Sequence, residues 1–291
     1  MRPTAILGVP MNVFEPRYLS YVLQFEHLEK RLEGMPGATD EHIAALFGLD
    51  VEAYRSIRGR HAARARQAAH DLIAEPTFAA RVDRLPFRAS DVVVGLGDSI
   101  TDDDQSWLEI LRALLELRRA EDGIRVVNAG VSGDTTAQMI ARFLDVVVER
   151  PDWIICMAGT NDARLHGPSP KKVLVSIEET AKNLDMLRHM AATQTQARWI
   201  WMTPATVIEA QIAEHWMLSG FELGWRNRDL VAIGDLICRR PEPVVDVREV
   251  FGHPPDPRLL LPDGLHPSLQ GQVAIVRTLV ETLTAEGARR P

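Results

Sequence analysis

A chain of 291 residues with 46% hydrophobic and 25% charged residues has the composition of a soluble globular protein and is long enough for one large domain with a smaller companion. Its formal net charge of −7 lacks the positive potential on which general affinity for nucleic acid or anionic membrane depends. No stretch approaches the roughly 20 apolar residues of a membrane span, and the apolar run after Arg2 is cut by Pro10 and Glu15-Pro16, a poor signal peptide, so a cytoplasmic protein is expected.

Residues 1–89 carry few strand signals and read as an all-helical N-terminal extension, with helical periodicity at Tyr18, Val22, Phe25, Leu28 and Leu32 and again from Ala62 to Ala74. They hold 12 basic and 11 acidic residues, against 21 and 29 in residues 90–291, so the acidity belongs to the latter part. The segment 41–58 is spaced like a helix-turn-helix, with Ala44 at a close helix contact, Gly48 in the turn, and Leu49, Tyr54 and Ile57 as core. Arg55, Arg58, Arg60, Arg64 and Arg66 follow. DNA contact through residues 41–66 is the weaker reading, because an ordinary helical hairpin has the same spacing and helical arginines usually form a solvated face. Capping a site, pairing subunits into an oligomer and contacting another macromolecule all stay open as roles for this region.

From about Ser90 short apolar runs alternate with longer amphipathic ones, the pattern of a five-stranded parallel sheet flanked by helices. Strands are expected at Val92–Leu96, Ile124–Asn128, Trp153–Met157, Arg198–Met202 and Val244–Val247. Helices are expected at Trp107–Arg119, Ala137–Glu149, Lys171–Ala192, roughly Glu209–Cys238 and Leu269–Ala285. Cys156 and Cys238 lack metal-ligand spacing and are expected as buried free thiols.

In an open parallel sheet, ligands bind beyond the carboxyl ends of the strands. Unusual polar and glycine residues stand there: Gly97-Asp98-Ser99 after the first strand, Gly130-Val131-Ser132-Gly133-Asp134 after the second and Gly159-Thr160-Asn161-Asp162 after the third. An Asp and a His three residues apart, Asp263 and His266, precede the last helix. A serine hydroxyl needs a base to take its proton, and the base must itself be held. Ser99, His266 and Asp263 supply nucleophile, base and orienting acid. Acyl transfer also needs donors for the developing oxyanion, for which the candidates are the N–H groups of Ser99 and Gly133 and the side-chain amide of Asn161.

These four blocks, read with Ile100-Thr101 after Ser99 and with Gly264, Leu265 and Pro267 around His266, resemble those of the GDSL-type, or SGNH, hydrolases. The resemblance covers about residues 90–285 in the family's order. Its one departure is Ile100, apolar where the family name implies leucine. It implies a flavodoxin-like three-layer α/β/α domain and metal-free, cofactor-free hydrolysis of carboxylic esters, thioesters or acylated sugars, with an oxyanion hole from Ser99, Gly133 and Asn161. An acyltransferase using the same triad is one alternative, and a ligand-sensing or DNA-binding regulator built on a hydrolase-like domain is another.

Rival chemistries are weaker. Ser99 lacks the G-x-S-x-G elbow of α/β-hydrolases, and Gly95-Leu96-Gly97 lacks the third glycine of a dinucleotide fingerprint. Asp102-Asp103-Asp104 suits the start of a helix better than a cation site. Asp98 and Asp162 are expected to hold their loops by hydrogen bonds. His166, His215 and His253 have no acid three residues earlier. Arg164, Leu165 and His166 are placed to meet the leaving group, whereas His215, Trp216, Met217, Phe221 and Trp225 suit core packing or the wall of an acyl pocket. No long apolar lid is visible, so a small or medium acyl ester is the expected substrate.

Overall fold

The chain enters the structure in helices. This computed structural model describes residues 16–32 and 35–285. Among the described residues, five helices precede the first strand: α1 (Pro16–Phe25), α2 (Leu28–Arg31), α3 (Asp40–Leu46), α4 (Val51–Ile73) and α5 (Pro76–Asp83). Thr39 Oγ1 accepts the His42 N–H and the Asp50 carboxylate accepts the Ala53 N–H, which start α3 and α4, and Pro76 opens α5. Between α3 and α4, Gly48 sits at φ +70°, the left-handed turn expected of it. The apolar face of this hairpin is spent inside the chain, where Ile43, Ala44, Phe47 and Tyr54 bury against Leu19 and Leu23 of α1. Of the following arginines, Arg55 pairs with Asp40 and Glu41, Arg58 with Glu29 and Asp104, and Arg66 with Glu116.

The rest alternates strand and helix: β1 (Val92–Gly97), α6 (Ser99–Asp102), α7 (Trp107–Arg118), β2 (Arg125–Gly130), α8 (Thr136–Ala141), α9 (Phe143–Val148) and β3 (Trp153–Met157). A small hairpin of β4 (Leu165–His166) and β5 (Lys172–Val173) follows, then α10 (Ile177–Gln194) and β6 (Arg198–Met202). The chain closes with α11 (Glu209–Glu214), α12 (Trp216–Gly220), α13 (Asn227–Cys238), β7 (Val244–Val245), α14 (Arg248–Phe251) and α15 (Leu269–Thr284). The sheet has five parallel strands in the order β2-β1-β3-β6-β7, the flavodoxin-like arrangement.

Alternation along the strands divides the core between two faces. Val93, Trp153, Ile155, Met157, Ile200 and Met202 face a layer of α4, α5, α7 and α15. Val94, Leu96, Ile154, Cys156, Trp199 and Trp201 face α8, α9, α10 and α13. Ala69, Leu72, Phe78 and Val82 of α4 and α5 therefore belong to the same core as the sheet. Burial of a side chain such as Phe78 is worth about 2 kcal/mol.

Several boundaries differ from the expectation. The stretch 137–149 breaks at Arg142 into α8 and α9. The helix expected from Lys171 begins at Ile177, where Ser176 accepts the Glu179 N–H, because the preceding residues pair as β4 and β5. Residues 209–238 form three helices, and Gly224 between them pairs with Leu165. Cys156 is buried, but Cys238 is exposed, in correction of the expected burial. It ends α13 on a polar face, with Sγ 3.4 Å from Asp246 Oδ2 and 3.3 Å from Arg248 Nη2. Among the described residues no helix is long and apolar enough to cross a membrane.

Candidate active site

The nucleophile candidate is positioned by the way β1 ends. Asp98 caps α6, its Oδ1 accepting the Ile100 N–H at 3.1 Å, so Ser99 becomes the first residue of a helical turn above the sheet. Burial pushes the Asp98 carboxyl up to about 6. Asp162, the other flanking acid, accepts hydrogen bonds from the Thr136 N–H and from the hydroxyls of Thr136 and Thr180. Asp98 is thus held within its own turn, whereas Asp162 ties the third loop to α8 and α10.

His266 Nε2 lies 3.0 Å from Ser99 Oγ, and its Nδ1 lies 2.7 Å from Asp263 Oδ2. The three-residue interval works because one carboxylate oxygen makes the turn and the other holds the ring. Asp263 Oδ1 accepts the N–H groups of Leu265 and His266 at 2.8 and 2.9 Å, leaving Oδ2 for the imidazole. With Nδ1–H donated to a carboxylate, Nε2 is the acceptor that faces the serine hydroxyl. Burial disfavours the imidazolium, but the charge of Asp263 and its hydrogen bond outweigh that, and His266 sits above its ordinary value. Burial likewise works against the Asp263 carboxylate, yet the His266 charge and the hydrogen bonds from His266 and Tyr21 bring it well below the carboxylate range.

The other candidates border the same space. Gly133 has φ +84°, a conformation a side chain would strain. Asn161 donates from Nδ2 to the Asp134 carbonyl at 3.2 Å, while its Oδ1 accepts from Arg164 Nη1 at 3.3 Å, which fixes which end of the amide is which. Asp134 in turn pairs with Arg142 at 2.5 Å. Trp225 Nε1 donates to the Thr160 carbonyl at 2.8 Å and steadies the third loop.

Ser99, Gly133, Asn161 and His266 open into one cavity of about 480 Å3. Val22, Phe25, Leu28, Leu46 and Phe47 wall it on one side, all from the N-terminal helices or the residue after α3. Met217, Phe221, Leu223 and Trp225 wall the other; of the stretch that suited either core or pocket, Met217 and Trp225 also pack into the core, and His215 and Trp216 are not among the lining residues. Arg164 also lines it, and its Nε donates to His166 Nε2 at 2.9 Å. His215 lies against Tyr21, with ring centroids 6.2 Å apart, and His253 is exposed.

The acidic triplet serves a purpose that its sequence position does not reveal. His27 Nδ1–H donates to Asp102 at 2.6 Å and its Nε2 lies 3.3 Å from Asp104; Lys30 Nζ reaches Asp102 at 2.5 Å. Gln24 donates to Asp103 at 3.0 Å, and Arg58 bonds Asp104. All three carboxylates dock the N-terminal helices onto the loop that bears Ser99. That docking brings in Tyr21 and Phe25, which sequence reasoning missed as site residues because helical periodicity marks such positions only as a packing face.

The comparisons place the chain in a family. The model for the GDSL-like lipase/acylhydrolase family matches residues 96–274. An acetylxylan esterase of Geobacillus stearothermophilus is 27% identical over 219 residues, 67% of this chain and 94% of that protein. Esterase TesA of Pseudomonas aeruginosa is 34% identical over 102 residues, 32% of this chain and 48% of that protein. The crystal structure of LAE5, an alpha/beta hydrolase enzyme from the metagenome of Lake Arreo in Spain, shares 27% identity at a TM-score of 0.54, covering 68% of this chain and 96% of its own. A catalytic mutant of the acetylxylan esterase Axe2 from Geobacillus stearothermophilus has the same fold at a TM-score of 0.54 and 23% identity, covering 70% and 99%. The matched region begins at β1, leaving α1–α5 outside it. The chain belongs to the GDSL-like lipase/acylhydrolase family and is an ester-hydrolysing enzyme.

Proposed function

We propose that the protein is a serine esterase that hydrolyses carboxylic esters of small or medium acyl groups through an acyl-enzyme on Ser99. The observation that carries the proposal is the unbroken chain of hydrogen bonds from Ser99 Oγ to His266 Nε2 at 3.0 Å and from His266 Nδ1 to Asp263 Oδ2 at 2.7 Å.

In the first step Ser99 Oγ bonds to the ester carbonyl carbon as its proton passes to His266 Nε2. The carbonyl π pair moves onto oxygen, where the N–H groups of Ser99 and Gly133 and the Asn161 Nδ2–H receive it. When the intermediate collapses, the C–O bond to the leaving alcohol breaks and the imidazolium returns the proton to that oxygen. Water then attacks the acyl carbon with His266 again as base, releasing the acid and restoring Ser99. Asp263 stays ionised throughout and holds the ring.

The cavity supports an apolar acyl group. Its walls are mainly hydrophobic, and 480 Å3 suits a small ligand. One relative is named for acetylxylan, but the apolar side chains that face Ser99 here favour an acyl group larger than acetyl. Each buried methylene adds about 0.8 kcal/mol, close to fourfold in rate constant. A p-nitrophenyl ester series from acetate to decanoate tests the reading. Activity that rises over the first few methylenes and vanishes in Ser99→Ala is expected; turnover that survives Ser99→Ala overturns it.

A further inference from the structure

The hydrogen-bond network of the site extends past Asp263 into the N-terminal helices. Tyr21 of α1 places its hydroxyl 2.6 Å from Asp263 Oδ2, the same oxygen that accepts Nδ1–H of His266 at 2.7 Å. Because Oδ1 is filled by the N–H groups of Leu265 and His266, the carboxylate holds four donors. Three come from its own loop, and the fourth comes from a helix 242 residues earlier.

We propose that Tyr21 is a positioning residue of the esterase: its hydroxyl fixes the Asp263 carboxylate and moderates its pull on His266, so that the imidazole is kept as a neutral base. The proposal rests on the reading of Ser99, His266 and Asp263 as the triad. A carboxylate that accepts a strong hydrogen bond from a phenol carries less negative charge toward its other partner. Tyr21 therefore weakens the hold of Asp263 on imidazolium while restraining the carboxylate from rotating. Burial and the Asp263 charge both push the Tyr21 phenol well above its ordinary value, so it remains a donor across the working range.

The helix does not depend on this bond for its place. Gln24 donates to Asp103, the Asp104 N–H donates to the Gln24 carbonyl at 3.1 Å, and the Ser132 hydroxyl donates to the Phe25 carbonyl. Removing one phenolic oxygen leaves these intact and keeps the ring on the cavity wall. The other titratable groups around His266 are Asp98 and Asp103 beside Ser99, Glu26 on the α1–α2 bend and His215 between α11 and α12. They are common to the parent and a Tyr21→Phe variant, so they do not contribute to a difference between the two.

The test is the pH profile of kcat/KM for the full-length protein and for Tyr21→Phe, with Ser99→Ala beside them and the His266 Nδ1 proton followed by NMR. The variant is expected to show its acid limb at higher pH and its Nδ1 resonance further downfield. Its kcat near neutrality is expected to be lower by about tenfold, the factor for one hydrogen bond to a charged group, with KM unchanged. A merely structural Tyr21 would lower thermal stability and leave the acid limb in place, and coincident profiles with equal kcat overturn the proposal. Coincident profiles beside an inactive Ser99→Ala overturn the role of Tyr21 alone, whereas turnover in Ser99→Ala overturns the triad reading on which it rests.

Discussion

Phe25 lies against the imidazole of His266, with ring centroids 4.4 Å apart and planes tilted by 33°. A helix outside the family-matched region thus covers the base of the site, in contact with the face of the ring that would otherwise meet water. Phe25→Ala is expected to cost about 3 kcal/mol of stability and to lower kcat more than it raises KM, because the ring packs on His266. Thermal unfolding together with steady-state kinetics checks both parts.

Removal of residues 1–89 is expected to abolish activity and soluble folding together. Ala69, Leu72, Phe78 and Val82 share the core of the sheet, so the deletion uncovers the face formed by α7 and α15 as well as the site. Gel filtration and ester turnover of the truncated protein test this, and a soluble, fully active product would show the helices to be dispensable.

The pH dependence follows from the direction in which His266 moves. Its pKa is raised, and only the neutral ring accepts the Ser99 proton, so kcat/KM is expected to fall on acidification with an acid limb above the ordinary histidine value of about 6.5. Asp263→Asn is expected to lower kcat by about 10⁴ through loss of the correct tautomer. Initial rates from pH 5 to 9 measure the first and single-turnover kinetics the second.

Docking of the N-terminal helices carries a pH dependence of its own. Burial disfavours charged His27, but the hydrogen bonds and charges of Asp102 and Asp104 outweigh it and raise its pKa to about 9. A base whose pKa is raised on folding contributes stability in full below its unfolded value, about 6.5, and that contribution disappears as pH climbs through about 9. Limited proteolysis of the residues before α4 is expected to accelerate between pH 7 and 10. His27→Ala, which leaves a buried carboxylate short of a partner, is expected to cost about 3 kcal/mol and to flatten that pH dependence.

Asn161→Ala removes one oxyanion donor and leaves the Ser99–His266–Asp263 chain in place. A fall in kcat of about 10² to 10³ with little change in KM is expected. An equal fall in kcat/KM that came instead from a raised KM at unchanged kcat would assign Asn161 to substrate binding.

The parts of the site that sequence reveals are those whose signal is local. An apolar run ending in Gly97-Asp98-Ser99 places a serine at a strand mouth, and Asp263 and His266 sit close enough to share one turn. The relations that escape a linear reading join distant segments. Asp102, Asp103 and Asp104 look like complements to a helix dipole because His27, Lys30 and Arg58 lie about 45 to 75 residues away. Tyr21 carries no mark that separates it from the packing residues around it. The β4–β5 hairpin has two residues per strand, too few for a period to register, and the break at Arg142 carries neither glycine nor proline.

Whether Ser99 carries the acyl group is read from peptide mapping of the full-length protein after exposure to a fluorophosphonate. A single adduct is expected on the peptide containing Ser99, absent from Ser99→Ala together with ester turnover. An adduct on another residue, or ester turnover that persists without any adduct, would contradict that role of Ser99.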